Sequence, residues 1–184
     1  VIRGLGVIRE QSERLMEFTE SYRRLSYMPE PKKKRFSLTD SLHNLALLLQ
    51  SDFENAHIHF ILRSTPSDIY IEGDEKQLSQ VFLNLLKNSM QSLEGKTDGQ
   101  IEVTLEVTDK LYIKLLDNGR GIPRELQEKI FVPFFTTKTE GTGIGLSLCR
   151  QIIKRHGGNL YLQESGQGRT LFVIEWPIVP FIPK

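Results

Sequence analysis

The stretch Asp117-Asn118-Gly119-Arg120-Gly121-Ile122 follows an alternating apolar run, residues 111–116, that predicts a strand ending in a sharp loop. Asp-Asn-Gly by itself is a common turn signal, so a plain turn is one interpretation. Two glycines one residue apart also allow the backbone to approach a flat ligand, and an aspartate carboxylate accepts a hydrogen bond from an amino group. We therefore weigh a site for a planar base, at Asp117, Gly119 and Gly121, against the plain turn.

Upstream of this loop, residues 74–93 predict a long amphipathic helix, because apolar residues recur there at spacings of three and four. Two asparagines, Asn84 and Asn88, lie one turn apart on its polar side. A solvated helix face is the simple explanation. Asparagine is a weak helix former, however, and its amide oxygen is a neutral hard ligand that Mg²⁺ accepts beside phosphates and waters. The pair is therefore a candidate metal site.

Downstream of the loop, residues 134–146 are rich in threonine and glycine and run into an apolar helix predicted for residues 143–156. A helix N-terminus preceded by glycines presents free N–H groups to an anion, and Lys138 adds a positive charge. The segment lacks the Gly-Lys-Ser/Thr of phosphate loops, and Leu146 stands where the dinucleotide-binding pattern has its last glycine. A flexible linker is the alternative, but linkers do not normally continue as an apolar helix.

The remaining patterns predict helices interleaved with hairpin strands. We expect a helix from Thr39 or Asp40 to Asn55 and a short helix at residues 123–130. Strands are expected at residues 57–63, 68–72, 101–107, 111–116, 159–164 and 170–175. This order predicts an α/β fold, a two-layer sandwich of a mixed, largely antiparallel sheet with helices on one face.

The N-terminal part predicts one long amphipathic helix at residues 1–28 that has no partner helix in the sequence. We expect it to pack against another chain or against an antiparallel helix outside this sequence. Residues 29–35, with two prolines and four consecutive basic residues, predict a solvated linker. A domain at residues 36–176 and a tail at residues 177–184 complete the expected organisation.

The composition excludes several classes of protein. The 184 residues carry a net charge of +1, so a nucleic-acid-binding domain is not expected. The single cysteine, Cys149, cannot form an intrachain disulfide, and its apolar helical position predicts core packing. We expect a reducing, cytoplasmic setting. Because the sequence begins with Val1, we expect a piece of a longer protein, and a membrane anchor upstream is left open.

The order of the motifs resembles the ATP-binding catalytic domain of sensor histidine kinases, in the superfamily shared with DNA gyrase B subunits, ninety-kilodalton heat-shock chaperones and MutL. Residues 83–89 resemble its asparagine box, residues 117–122 its first glycine box, residues 131–135 its phenylalanine box and residues 141–146 its second glycine box. Residues 1–28 resemble the second helix of the dimerisation hairpin that precedes that domain.

The resemblance implies a site for ATP and Mg²⁺. Asn88, with Asn84, would ligate the metal, Asp117 would receive the adenine amino group, and Lys138 with the second glycine box would hold the phosphates under a short lid. The implied ATP-binding residues are Asn84, Lys87, Asn88, Asp117, Gly119, Gly121, Ile122, Phe131, Thr136, Thr137, Lys138, Gly141, Thr142, Gly143, Ile144, Gly145 and Leu146.

The implied activity is transfer of the γ-phosphoryl group to a histidine on the hairpin, for relay to the receiver domain of a response regulator. The implied assembly is a homodimer through that hairpin. The four histidines, His43, His57, His59 and His156, all lack the acidic neighbour of a phosphoacceptor, so this chain is not expected to phosphorylate itself. We expect His156, before two glycines, to cap a helix end, where a cation suits the helix dipole.

Three alternatives share these motifs. A serine-directed protein kinase of the same superfamily would contain every box, although the N-terminal helix favours a histidine kinase. A hydrolysing ATPase is opposed by Asn84, which stands where hydrolysing relatives have a glutamate that activates water, because an amide is not a general base. A non-catalytic nucleotide-sensing or dimerisation module is the third.

Overall fold

The computed structural model describes residues 27–138 and 141–177, together with residues 16, 19, 22 and 23. Most of the helix predicted at residues 1–28 therefore lies outside the described residues, and so do Thr139, Glu140 and the tail beyond residue 177. No helix in the described part of the chain is long and apolar enough to cross a lipid bilayer.

Residues 27–138 and 141–177 form seven strands and five helices. In chain order they are β1 (Lys34–Ser37), α1 (Leu38–Leu48), α2 (Gln50–Asn55), β2 (Ile58–Thr65), β3 (Tyr70–Gly73), α3 (Glu75–Ser92), β4 (Gly99–Val107), β5 (Leu111–Asp117), α4 (Arg124–Gln127), α5 (Gly145–Arg155), β6 (Asn159–Gly166) and β7 (Arg169–Trp176).

The main sheet has five strands in the order β2–β4–β5–β7–β6, and a separate pair joins β1 to β3. β2 runs parallel to β4, whereas the other neighbours are antiparallel. Alternate residues of β4, namely Ile101, Val103 and Leu105, are buried with α3 and α5 in one hydrophobic core. The residues between them are polar, and Glu102 pairs with Arg63 at 2.9 Å. This alternation leaves one face of the sheet to solvent and confirms the predicted two-layer, largely antiparallel sandwich.

The helix α3 carries the asparagines toward the site. Its N-cap is Asp74, whose carboxylate accepts from the backbone N–H groups of Lys76 and Gln77. The apolar arc from Leu78 to Leu86 is buried, so the polar arc with Asn84 and Asn88 faces away from the core. The bounds agree with the prediction of a helix at residues 74–93.

Two expectations at the start of the domain were wrong in detail. The first helix is capped by Ser37, which accepts from the Asp40 N–H at 3.1 Å, and not by Thr39 or Asp40. Thr39 is buried instead, and its hydroxyl accepts from the Ile69 N–H at 3.2 Å. The helix is also interrupted at Leu49, so that α1 and α2 replace one continuous helix.

The last two residues of the predicted linker at residues 29–35 belong to the folded domain. Lys34 and Arg35 begin β1 and pair with Gly73 and Glu72 of β3. Their side chains remain exposed, as expected for a charged run.

His156 caps the C-terminal end of α5, as predicted, but in its neutral form. The ring is 4 % exposed; Nε2 accepts from the Asp74 N–H at 3.0 Å and Nδ1 lies 2.8 Å from the Ile152 carbonyl oxygen. Burial is the main cause that lowers the pKa of His156, with Lys33 acting in the same direction. The favourable cation at the helix end was therefore a wrong expectation, because a ring with Nε2 as acceptor is uncharged.

Cys149 is buried in the core, as predicted. Burial raises the pKa of its thiol to about 12, so the thiol is unreactive.

Candidate functional site

One cavity of about 980 Å³ lies between α3, the loop after β5, the glycine-rich segment before α5 and the β6–β7 hairpin. Its size is that of a typical small-molecule site. Most of the predicted site residues line it: Asn84, Lys87, Asn88, Asp117, Gly121, Ile122, Thr136, Thr137, Lys138, Gly141, Thr142, Gly143, Gly145 and Leu146. The structure therefore brings the four motifs together around one space.

Asp117 is the last residue of β5 and is 2 % exposed. Its Oδ2 accepts from the Ser89 hydroxyl at 2.9 Å, and its Oδ1 accepts from the Ser92 hydroxyl at 2.9 Å and from the Gly119 N–H at 3.0 Å. Burial is the largest influence and raises the pKa of Asp117, while these donors act against it. The carboxylate is thus held in one orientation at the wall of the cavity.

The glycines of this loop make room for other parts of the protein. A Cβ at Gly119 would lie 2.0 Å from the Ser92 hydroxyl oxygen, so glycine lets the loop pack against α3. Gly121 has φ +77°, and a Cβ there would lie 1.9 Å from the Gly166 carbonyl oxygen. Both glycines thus allow close contacts with other parts of the protein; Gly121 also lines the cavity, whereas Gly119 does not.

The asparagines lie at the other end of the cavity. On α3, Asn88 and Asn84 precede Ser92 by one and two turns. The Asn84 amide nitrogen donates to the Gln80 carbonyl at 3.1 Å, and its Oδ1 faces the start of α5, 3.1 Å from where a Cβ of Gly145 would lie. The Asn88 Oδ1 accepts from the Lys138 ammonium at 2.9 Å. Both amide oxygens are thus turned toward the cavity, and that of Asn88 contacts the positively charged Lys138 side chain.

Lys138 reaches this end from the glycine-rich segment and also donates to Gln91 Oε1. Desolvation and, second, the neighbouring charge of Arg120 lower its pKa. Among the described residues there is no group of three or more histidines, cysteines or acids that would hold a metal alone. A metal here would need the amide oxygens and the oxygens of a ligand.

The start of α5 forms a further part of the cavity wall, next to Asn84 of α3. No side chain of the described residues caps its N-terminus, so its first N–H groups are available to an anion. Gly143, with φ +67°, passes close to the backbone of Phe134 and Phe135, where a side chain would clash. Ile144 occupies the N-cap position and is buried in the core, so it does not line the cavity.

Phe131 also lies outside the cavity lining. Its ring packs edge-on against Phe172, with ring centroids 6.3 Å apart, and the Arg150 guanidinium lies 4.7 Å from its centroid. Phe172 does line the cavity, so Phe131 supports the wall from behind.

Several lining residues were not assigned to the site from the sequence. They include Ser89, Gln91, Ser92, Arg120, Ser165, Gly166, Thr170 and Phe172. Ser89 was detectable as a polar residue within the buried arc of α3. Residues of β6 and β7 gave no local signal, because strand pairing brings them to the cavity.

Comparison with known proteins agrees with this geometry. The family model described as histidine kinase-, DNA gyrase B-, and HSP90-like ATPase matches residues 73–180. The sensory histidine kinase/phosphatase NtrB of Rhodobacter capsulatus is 30% identical over 95% of this chain, which spans 52% of that relative. The chain therefore corresponds to about half of the length of NtrB.

Solved structures give the same result. The catalytic domain of histidine kinase ThkA superposes with a TM-score of 0.73 at 33% identity, covering 81% of this chain and 99% of that one. ThkA in complex with the response regulator protein TrrA gives a TM-score of 0.76 at 28% identity, covering 95% of this chain and 50% of that one. The chain belongs to the family of histidine kinase-, DNA gyrase B- and HSP90-like ATPases, as an ATP-binding catalytic domain of the sensor histidine kinase type.

Proposed function

We propose that this domain binds ATP with Mg²⁺ and transfers the γ-phosphoryl group to a histidine on a helical hairpin. The observation that supports this proposal is the arrangement along α3. The helix contacts the buried carboxylate of Asp117 through Ser92 and carries the amides of Asn84 and Asn88 eight and four residues earlier. At 1.5 Å per residue, Asn84 and Ser92 are about 12 Å apart along the helix axis. One extended ligand can therefore meet a carboxylate at one end and amide oxygens at the other.

In this proposal, the end of the cavity at Asp117, here called the base end, selects adenine. Adenine presents an exocyclic amino group at the edge where guanine presents a carbonyl oxygen. The Asp117 carboxylate is oriented by Ser89 and Ser92 and accepts from an amino group but repels a carbonyl oxygen. ATP is therefore favoured over GTP.

The opposite end of the cavity, at Asn84, Asn88 and Lys138, is here called the phosphate end. It fits a magnesium–phosphate group. Asn84 and Asn88 supply neutral oxygen ligands, which Mg²⁺ accepts when phosphate oxygens and waters complete its shell. Bound there, Mg²⁺ would neutralise charge on the phosphate oxygens. Lys138 and the N-terminus of α5 provide positive charge for the same phosphates. The task of these residues is positioning and charge neutralisation.

The cavity favours transfer over hydrolysis. Asp117 is the only carboxylate among the described residues that line the cavity, and its oxygens accept from Ser89, Ser92 and Gly119 at the base end. Asn84 is an amide and cannot remove a proton from water. Of the described lining residues, none thus places a carboxylate base at the phosphate end.

The partners are proposed from the relatives. ThkA was solved in complex with the response regulator protein TrrA, which supports a response regulator as the final acceptor for this chain. The homodimer through the hairpin that includes residues 1–28, and a cytoplasmic setting in which ATP is available, complete the proposal.

The test is a phosphoryl-transfer assay with labelled ATP. The purified chain, Mg²⁺ and a histidine-bearing helical hairpin from a relative kinase should give acid-labile, base-stable label on the hairpin and none on the chain, and Asn88→Ala should remove it. Acid-stable label on serine would favour a serine-directed kinase, and phosphate release without label would favour an ATPase. Tight ATP binding with no transfer would favour a non-catalytic module.

A further inference from the structure

The Asp117 loop, residues 117–122, is held at two places by different elements. At its start, Ser89 and Ser92 of α3 bind the Asp117 carboxylate. At its end, the Ile122 N–H donates to the Ser165 hydroxyl at 2.8 Å. The loop therefore connects α3 with the β6–β7 hairpin, and hydrogen bonds to both elements fix its position.

Gln127 joins this loop to the hairpin. Its amide nitrogen donates to the Ile122 carbonyl at 2.9 Å and to the Ser165 carbonyl at 3.2 Å. Both backbone groups of Ile122 are thus bound to one cluster formed with Ser165. Gln127 is half-buried at the end of the short helix α4, and it is not among the residues that line the cavity.

The junction stands directly behind the cavity wall. Gly121 presses against Gly166 so closely that a Cβ would lie 1.9 Å from the Gly166 carbonyl oxygen. Gly121, Ile122, Ser165 and Gly166 all line the cavity. A shift of the hairpin away from the loop would therefore change the shape of the wall next to Asp117.

We infer that Gln127 is a positioning residue for nucleotide binding: it fixes the Asp117 loop to the β6–β7 hairpin and thereby sets affinity for the base end of the ligand. The inference rests on the proposed function. The hydrogen bonds of Gln127 go to the loop and the hairpin, whereas the contacts at the phosphate end run from α3 to Lys138. Its loss therefore weakens binding independently of Mg²⁺.

The experiment measures the Kd of ADP by calorimetry, once with Mg²⁺ and once with EDTA. Gln127→Met keeps the length of the side chain but removes both donated hydrogen bonds. We expect both Kd values to rise by the same factor, about tenfold, which corresponds to the loss of about 1.4 kcal/mol. Gln127→Lys, which retains a donor of similar reach, should recover most of the affinity. Glu128→Met, at the exposed next position, should bind as the wild type does.

A purely structural role gives a different pattern. It would lower Tm without raising the Kd at temperatures where the variant is folded, and that result would overturn the inference. A rise confined to the Mg²⁺ condition would also overturn it, because the effect would then lie at the phosphate end.

A second variant keeps the inference testable if Gln127→Met does not fold. Ser165→Ala removes the hydroxyl acceptor of the Ile122 N–H, and it should raise both Kd values in the same Mg²⁺-independent way. Unchanged Kd values for this variant would contradict the inference. If the wild type binds no ADP, the proposed function itself fails, whereas wild-type binding with unaltered variants refutes only the role of Gln127.

Discussion

The Ser92 hydroxyl lies 2.9 Å from Asp117 Oδ1 and joins the last turn of α3 to the end of β5. Ser89, one turn earlier, donates to the other carboxylate oxygen at 2.9 Å. A buried carboxylate bound by two hydroxyls has a fixed direction, which a binding group requires and a plain turn does not. This pair of contacts supports our proposal that the loop at residues 117–122 forms a binding site.

Replacing Asp117 by asparagine should raise the Kd of ADP by about ten- to a hundredfold, because a charge-assisted hydrogen bond worth about 1.5–3 kcal/mol is lost. Calorimetric titration with ADP measures the change. Ser92→Ala removes one donor to the carboxylate and should have a smaller effect. Equal affinity of Asp117→Asn and wild type would show that the base does not bind at this residue.

The pH dependence of ADP binding should also report Asp117. Burial raises the pKa of this carboxyl, so it takes up a proton at a higher pH than an exposed aspartate. The protonated form is a poorer acceptor, and affinity should therefore fall as pH decreases toward this raised pKa. Asp117→Asn lacks the titrating group, so the ratio of its Kd to that of wild type should shrink at lower pH. A constant ratio would contradict this assignment.

Asn88→Ala should remove the Mg²⁺-dependent part of nucleotide affinity and leave binding in EDTA largely intact. The measurement is the ratio of the ADP Kd values in EDTA and in Mg²⁺. Gln91→Ala is the matched control, because both side chains accept from Lys138 but only Asn88 is proposed to ligate the metal. Loss of the Mg²⁺ effect in both variants would indicate a role through Lys138 instead.

Gly121→Ala should destabilise the domain by more than about 3 kcal/mol and abolish ADP binding, because it adds a steric clash to the cost of a left-handed residue. The clash is with the Gly166 carbonyl oxygen, at 1.9 Å. Gly95 has a similar φ of +80°, and a Cβ there would have nothing within 4 Å, so Gly95→Ala tests the backbone cost alone. That variant should lose only about 1–2 kcal/mol and bind normally. Urea unfolding compares the two, and equal losses would contradict the close packing of Gly121 on Gly166.

His156 should make the domain less stable in mild acid. Burial lowers its pKa in the folded state, whereas the unfolded chain has a histidine pKa of about 6.5. Below that pH the unfolded state binds the additional proton, so the free energy of unfolding falls as pH decreases from about 6.5 toward the lowered pKa. His156→Gln keeps hydrogen-bonding groups but does not titrate, and urea unfolding should show a flatter pH dependence. Parallel curves for the two proteins would disprove the assignment.

The elements that carry strong local patterns were predictable from the sequence. The periodicity of residues 74–93 predicted α3 to within one residue at each end. The alternation in β4 and β5 gave the hairpin, and the glycine spacing located the loops that meet at the cavity. For the helix and the hairpin, the determining interactions lie within about a turn or a strand of the residues concerned.

Features that depend on tertiary contacts were not predictable in the same way. Ser37 rather than Thr39 caps α1 because Thr39 bonds to Ile69, thirty residues away. Thr170 and Phe172 reach the cavity through the pairing of β7 with β5, which no local pattern specifies. His156 is neutral because it accepts from Asp74, on a different element. Gly119 leaves room for the Ser92 side chain of α3, 27 residues earlier in the chain.

The most direct test of the nucleotide site is thermal unfolding of the wild-type chain with and without Mg-ADP, with Mg-GDP as the control. At a hundred times Kd a ligand adds about 2.7 kcal/mol of stability, which for a domain of this size raises Tm by roughly 5–10 °C. We expect that Mg-ADP gives such a shift, that EDTA reduces it and that Mg-GDP gives little. No shift with millimolar Mg-ADP, or an equal shift with Mg-GDP, would contradict an adenine-selective, Mg²⁺-dependent site.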